Sequence, residues 1–294
     1  MKHPDTRGTI FSENARVIEH QSLPAEQFLL RLHSPETATH ARAGNFVHLQ
    51  CHPELYMRRP MSIMRAAPAT GWIDIFYKIH GEGTARLALR KAGEIVPLLG
   101  PIGVPFKQRG YKKLPLLLGG GVGIPPMVFL AEHMKNSGEE LSPFVIMGSE
   151  IPFPFTSRPS QIMVKGIPEG VIASMPLLED WGIPSRLSSL QGYPGCYSGY
   201  VTDLARAWLD SLSPESRDNV EIFSCGPTPM LRSVSLLAQE YNLSCQISLE
   251  EFMACAVGGC AGCAVEVHTA EGLAMQRVCV DGPVFEAANI FPAR

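Results

Sequence analysis

The sequence predicts a multidomain protein with an N-terminal β-domain, a central doubly wound α/β sheet and a short C-terminal cysteine-rich module. Three observations predict this. Strand-like runs separated by Pro and Gly fill the first hundred residues, strands alternate with helices from residue 114, and four of the eight cysteines fall in the last 40 residues. The 294 residues suffice for two domains or one large one, at about 150 residues each. A chain of that size buries about 75% of its unfolded surface and needs no disulfide framework.

In the β-domain, Asn45–Gln50 and Trp72–Lys78 are short, rich in β-branched and aromatic residues, and bounded by turn signals. Several such runs with Pro and Gly between them describe a barrel or a sandwich. Gly100-Pro101-Ile102-Gly103 and Lys112-Lys113 punctuate its end. The period then changes. Leu114–Leu118 is a continuous apolar run of the kind buried on both faces of a parallel sheet. It runs into Gly119-Gly120-Gly121-Val122-Gly123, and Ile124-Pro125-Pro126 opens a helix through Met134, since Pro lacks only an N–H that the first turn leaves unused. Phe144–Gly148 and Val220–Cys225 read as further strands, and Gly199–Leu212 carries apolar residues at helical spacing. The helix after Val220–Cys225 puts Met230, Val234 and Leu237 on one face. Alternation of strand and helix gives a parallel, doubly wound sheet. Pro152–Pro194, with seven prolines and no sustained period, reads as loop.

Composition excludes several classes. Lys plus Arg number 25 against 28 Asp plus Glu, a net charge of −3, which argues against a general nucleic-acid binder. The stretch Met1–Arg7 leads into polar, mixed-charge sequence without the apolar run of a signal peptide. The most apolar stretch, Leu114–Leu130, is broken by four glycines and three prolines and does not read as a spanning helix. A cytoplasmic protein is expected, where structural disulfides are rare and clustered cysteines point to metal or redox work.

Cys255, Cys260, Cys263 and Cys279 are spaced C-x4-C-x2-C-x15-C. The first two spacings are those of a plant-type [2Fe-2S] ligand set. Small residues around them (Ala254, Ala256, Gly258, Gly259, Ala261, Gly262) let backbone wrap closely around a compact cluster. Four thiolates also suit tetrahedral zinc, although such sites usually begin with C-x2-C pairs. Cys51, Cys196 and Cys245 lack any partner pattern and read as buried thiols, and the nine histidines show no ligand spacing.

Four further motifs suit anion or ring binding. Arg59-Pro60-Met61-Ser62-Ile63, read at the end of a strand, offers a charged fork and a hydroxyl for a phosphate or a flavin edge. Taken alone, the same Arg reads better as a solvated turn residue. Gly81-Glu82-Gly83-Thr84 opens a helix read at Ala85–Lys91, where free N–H groups make an anion cradle. Gly119–Gly123, between strand and helix, lets backbone approach a pyrophosphate or ring, although it lacks the strict G-x-G-x-x-G pattern. Cys225-Gly226-Pro227-Thr228 lies at the carboxyl end of a strand, where open α/β sheets bind ligands, and reads equally as a plain strand-to-helix turn.

The order of these pieces resembles the ferredoxin–NADP reductase superfamily, and within it the electron-transfer subunits of class 1B dihydroorotate dehydrogenases. The resemblance spans nearly the whole chain. It rests on Arg58–Ile63, Leu99–Gly103, Gly119–Pro126, Cys225–Met230 and Val278–Phe285, the last of these, with the cysteines ahead of it, being the most specific. It implies an antiparallel β-barrel holding FAD over 1–108, an α/β domain taking NAD(H) over 109–246, and a [2Fe-2S] segment over 247–294. Arg59, Pro60, Met61 and Ser62 would hold the isoalloxazine and phosphates, Ile79 and His80 would line the flavin, and Gly81, Gly83 and Thr84 would bind its pyrophosphate. Gly120, Gly121, Gly123, Ile124, Cys225, Gly226 and Pro227 would flank the nicotinamide. The implied partner is an FMN-containing dihydroorotate dehydrogenase catalytic subunit in a hetero-oligomer. A self-contained NAD(P)H reductase serving an oxygenase, a hydrogenase or another iron–sulfur partner is the alternative, and a zinc-stabilised regulatory module is the non-enzyme one. His80-Gly81-Glu82 departs from the family's usual valine- or glycine-containing run, and Pro152–Pro194 is longer and richer in proline.

Overall fold

A computed structural model describes residues 9–293. The Met1–Arg7 stretch read for targeting signals therefore lies outside the described residues except in sequence. Contacts divide the chain into two compact units, Met1–Phe106 with Ser248–Val284, and Lys107–Ile247 with Phe285–Arg294. The cysteine-bearing segment thus belongs to the same unit as the first hundred residues.

The first unit is built on β1 (Phe11–Leu23), β2 (Gln27–His33), α1 (Pro35–His40), β3 (Phe46–Leu49), β4 (Arg59–Ala67), β5 (Trp72–Lys78), α2 (Gly81–Leu87) and β6 (Ile95–Ile102). Its six strands close into an antiparallel barrel, in the order β1-β2-β5-β4-β3-β6, and closure leaves no unpaired edge. Leu30, Leu32, Val47, Leu49, Ile63, Ile73, Ile75 and Leu98 fill the interior, as the two-residue period of each strand dictates. One end is fastened by Glu13, which accepts bonds from Ser34 Oγ (2.6 Å), Thr37 Oγ1 (2.6 Å), Thr37 N (2.8 Å) and Glu36 N (3.1 Å). Glu13 therefore serves the first turn of α1 where Ser34, the N-cap residue, makes no capping bond of its own.

The second unit carries β7 (Leu114–Gly120), α3 (Ile124–Asn136), β8 (Phe144–Gly148), β9 (Arg158–Pro159), β10 (Ala173–Ser174), α4 (Pro176–Asp180), β11 (Ser185–Ser188), α5 (Val201–Ser211), α6 (Pro214–Arg217), β12 (Val220–Cys225), α7 (Thr228–Glu240) and β13 (Cys245–Ser248). The chain then forms the hairpin β14 (Ala264–Thr269) and β15 (Gly272–Arg277), followed by β16 (Val284–Glu286) and α8 (Ala287–Ile290). The main sheet runs β11-β8-β7-β12-β13-β16, with β11, β8, β7 and β12 parallel. From β7 the chain moves outward to β8 and β11, then returns to β12 on the other side. The gap between β7 and β12 is therefore the topological switch point, where α/β sheets bind ligands. The final residues are pinned to α7, with Gln239 Nε2 donating to Phe291 O at 2.7 Å and Arg232 lying 4.7 Å over the Phe291 ring.

Four local expectations change. Arg59–Ile63 opens β4 rather than ending a strand, and α2 begins at Gly81 rather than Ala85. Pro152–Pro194 contains β9, β10, α4 and the sheet strand β11. That strand was missed because its buried residues Ser185, Arg186 and Ser188 are polar and carry no apolar period. Cys196 is half-buried, whereas Cys51 and Cys245 are buried.

Candidate functional site

Arg59 sits where β4 starts and donates from Nη1 to the carbonyls of Met57 (2.8 Å) and Arg58 (3.2 Å). The fold brings this guanidinium against α2. A Cβ built on Gly83 would lie 2.9 Å from Arg59 Nε and 3.2 Å from Cζ, so a bare backbone and a cation share one concave spot. Gly81 reaches φ +76 with nothing within 4 Å of its absent side chain. Thr84, buried, accepts from His80 N at 2.6 Å and donates to Gly81 O at 3.3 Å, which locks the loop. Ile79 is half-buried and His80 exposed. Met61 and Ile63 point into the barrel, which turns Pro60 and Ser62 onto its outer face. An arginine fork beside open backbone fits a pyrophosphate, and a planar group would lie along the Pro60–Ser62 face.

In the second unit the β7–α3 and β12–α7 turns meet at the switch point, because Cys225 pairs with Gly119 in the sheet. Their glycines serve different ends. A Cβ on Gly123 would collide with the Cys225 carbonyl, and one on Gly120 or Gly226 with Met230 Sδ. Those three positions are glycine so that the two turns can touch. Gly121, at φ +54 with open space around it, is where a ligand can approach the backbone. Ile124 and Cys225 are buried and Pro227 is exposed.

The four cysteines lie in the first unit as two pairs. Cys263 Sγ stands 3.3 Å from Cys279 Sγ, and the Cys255 and Cys260 side chains touch. The loop between them aims its N–H groups at sulfur. Val257, Gly259 and Cys260 donate to Cys255, Gly258 donates to Cys279, and Gly262 N reaches Cys260 Sγ at 3.4 Å. Positive φ at Ala256, Gly258 and Ala261 makes that inward turn. Arg277 holds the loop from outside, with Nη1 donating to Gly258 O at 3.0 Å and its own N–H donating to Asp281 Oδ2 at 2.8 Å. Burial opposes ionisation of Cys255, but the backbone donors outweigh it and bring its pKa down to about 7. Burial, then the neighbouring Cys263, pushes Cys279 up to about 12.

Among the described residues no three His, Cys, Asp or Glu side chains converge as a single ion requires. Two thiol pairs under a canopy of N–H donors suit instead a two-iron cluster, with two ligands to each iron. No helix of the described residues is long and apolar enough to cross a membrane.

One polar side chain here escaped the sequence reading. His48, on β3, is 1% exposed, and its ring nitrogens lie near the Met253 and Arg58 backbones without a well-formed hydrogen bond. Burial first, then the charge of Arg58, lowers its pKa to about 4 and keeps it uncharged. It was legible only as one of nine scattered histidines. The register that places it opposite Pro60 comes from the barrel.

Comparisons with known proteins bear on the family and the fold. The model of the iron-sulfur cluster binding domain of dihydroorotate dehydrogenase B matches residues 250–291. The chain is similar to the dihydroorotate dehydrogenase B (NAD(+)) electron transfer subunit of Caldanaerobacter subterraneus subsp. tengcongensis, at 30% identity over 94% of this chain and 97% of that one. It is similar to the subunit of the same name from Geobacillus kaustophilus, at 32% identity over 84% and 86%. Among solved structures it shares its fold with an NADH-dependent reduced ferredoxin-NADP oxidoreductase, with TM-score 0.70 and 21% identity over 95% and 90% of the two chains.

Proposed function

Because the chain belongs to the family of dihydroorotate dehydrogenase B electron transfer subunits, we propose that it carries electrons between NAD(H) and a catalytic dihydroorotate dehydrogenase subunit, through FAD and a [2Fe-2S] cluster, in pyrimidine biosynthesis. The observation that carries this reading is the cysteine loop, where five backbone N–H groups point at three of four paired sulfurs.

FAD held there would supply hydride exchange with nicotinamide and one-electron exchange with a cluster, relating a two-electron couple to a one-electron carrier. The chain's own residues bind, orient and exclude water. Arg59 and the open backbone at Gly81 and Gly83 hold the pyrophosphate, with Thr84 fixing the loop. Pro60, Met61 and Ser62 present β4 to the ring system, and Ile79 and His80 line its edge. Gly120, Gly121, Gly123 and Ile124, together with Cys225, Gly226 and Pro227, receive the nicotinamide at the switch point. Cys255, Cys260, Cys263 and Cys279 would hold the cluster as the two thiol pairs the loop brings together. No side chain is needed as a nucleophile, since hydride transfer requires stacked rings and exclusion of water.

The expected division 1–108, 109–246 and 247–294 thus shifts: the barrel residues serve the flavin, the sheet unit, which includes Phe285–Arg294, serves the nicotinamide, and the inserted residues 248–284 serve the cluster. The partner is the FMN-containing catalytic subunit of a hetero-oligomer, and the setting is the cytoplasm. The test is anaerobic titration of the purified chain with NADH, followed by visible absorption and electron paramagnetic resonance. Bleaching of a flavin band followed by a reduced-cluster signal is expected. A colourless protein containing zinc and no iron overturns the reading. A chain that reduces artificial acceptors but binds no dihydroorotate dehydrogenase subunit would instead be a self-contained reductase.

A further inference from the structure

The outer face of β3 and β4 joins the two redox sites. Register pairs Phe46 with Ser62 and His48 with Pro60, so these four side chains share one face, while Val47, Leu49, Met61 and Ile63 fill the barrel. Cross-strand neighbours on one face stand about 5 Å apart at Cβ. The cluster-bearing arm is bound to the barrel where Val104 pairs with Pro283, whose carbonyl also accepts from Leu249 N within the arm at 2.9 Å. Phe46 lies against the Gly103–Pro283 contact. His48 comes next on the same face, with the Met253 backbone against its ring. Met253 is buried and precedes Cys255 by two residues. On its other side, His48 O accepts from Arg58 Nη1 at 3.5 Å, one residue before Arg59.

Two buried ring nitrogens whose polar neighbours are the Met253 and Arg58 backbones, with no well-formed hydrogen bond to either, need a reason in such a place. Phe46, Val47 and Leu49 show that β3 is otherwise apolar and fully covered, and an apolar residue at 48 would avoid the loss of solvation. The charges that act most on the ring are Arg58 and Arg59. The imidazole is therefore a neutral donor and acceptor in a dry gap, between the strand that carries Arg59–Ser62 and the arm that carries Cys255.

We propose that His48 is a positioning residue that couples the flavin-holding face of β3–β4 to the cluster arm through its ring nitrogens, and so sets electron passage between the two groups. The proposal rests on the FAD and [2Fe-2S] reading above. An imidazole seated between the Arg58 and Met253 backbones would set the spacing across that gap and the polarity near the sulfurs, the latter being one of the settings through which a protein tunes a cluster.

The test compares the holo chain with three variants, His48→Leu, His48→Phe and His48→Gln. Two apolar variants guard against a failure of either to fold, and glutamine keeps a donor and an acceptor. Stopped-flow reduction by NADH separates flavin bleaching from cluster reduction. Redox titration and paramagnetic resonance of the dithionite-reduced chain report the cluster without turnover. The expected result is normal FAD and iron content and unchanged flavin bleaching in the apolar variants. Their cluster reduction slows about tenfold or more, with a shifted cluster potential and spectrum, and glutamine restores these at least in part. Wild-type cluster kinetics, potential and spectrum in His48→Leu or His48→Phe overturn the proposal. So does a glutamine variant that behaves like the apolar ones, since shape alone would then matter. A wild-type chain without flavin or iron fails differently, because it refutes the functional reading before any variant is compared.

Discussion

Replacing Gly83 by alanine separates cofactor affinity from stability. The new Cβ would stand 2.9 Å from Arg59 Nε, 3.2 Å from Cζ and 3.3 Å from Cγ. The obstructed atoms belong to a flexible side chain, so the guanidinium yields and the backbone does not. Its bonds to Met57 O at 2.8 Å and Arg58 O at 3.2 Å are then weakened, along with its aim into the cradle. A hydrogen bond to a charged group is worth about 1.5–3 kcal/mol. Loss of one such bond to a phosphate weakens FAD binding by about 10- to 150-fold, at about 1.4 kcal/mol per tenfold. Folding should respond the other way, since Gly to Ala inside a helix gains about 0.5–1 kcal/mol. The assay strips the flavin, titrates FAD back by its fluorescence, and measures the apo melting temperature alongside. An FAD affinity within about twofold of wild type, or an affinity loss matched by a lower apo melting temperature, refutes the reasoning.

Other substitutions read other parts of the site. Gly123→Ala drives a Cβ into the Cys225 carbonyl and to 2.5 Å from Gly226 N; backbone cannot yield, so urea denaturation should show about 1–3 kcal/mol of lost stability, as overpacking costs. Gly121→Ala meets open space and should cost only the left-handed backbone strain of about 1–2 kcal/mol. Burial works against the Glu13 carboxylate, yet its four donors hold the pKa below the ordinary 4.5. The stability it contributes is therefore full above pH 4.5 and lost as pH falls through the depressed folded value. Glu13→Gln should lose about 1–3 kcal/mol at neutral pH, with the difference from wild type shrinking in denaturation curves taken under acid. Cys260→Ser should abolish cluster iron and its visible bands while leaving FAD bound and reducible by NADH; loss of flavin reduction would show that the two sites are not separable.

What was legible in the sequence follows physical lines. β5, β7, β8 and β12 are apolar runs bounded by turn residues, and nothing in their surroundings contradicts that signal. The cysteine spacing was equally plain, because a cluster demands its ligands at fixed separations. The start of α2 was not, since Gly81 and Gly83 are poor helix formers and the loop is locked by Thr84 through a side-chain bond. Strand β11 hid behind buried serines and a buried arginine, Arg186, whose donors reach the carbonyls of Ser185 and Ile162. The approach of Arg59 to Gly83 and the pairing of Val104 with Pro283 join distant parts of the chain, and local pattern holds no record of such meetings. His48 shows the same limit: its strand was readable, its face was not.

The chain's path has a consequence for how the cluster module can be gained or removed. Residues 248–284 visit the barrel unit, and from Phe285 onward the backbone is again part of the sheet unit, tied down where Gln239 and Ser235 reach the Phe291 carbonyl. The iron–sulfur segment is thus an insertion between two parts of one domain and not an appended tail. A stop codon at residue 248 would remove β16 and α8 along with the cysteines, exposing the flank of α7. A version without the cluster is therefore made by excising the segment and rejoining its ends, the way a loop is shortened, and a cluster of another kind would be spliced into the same gap.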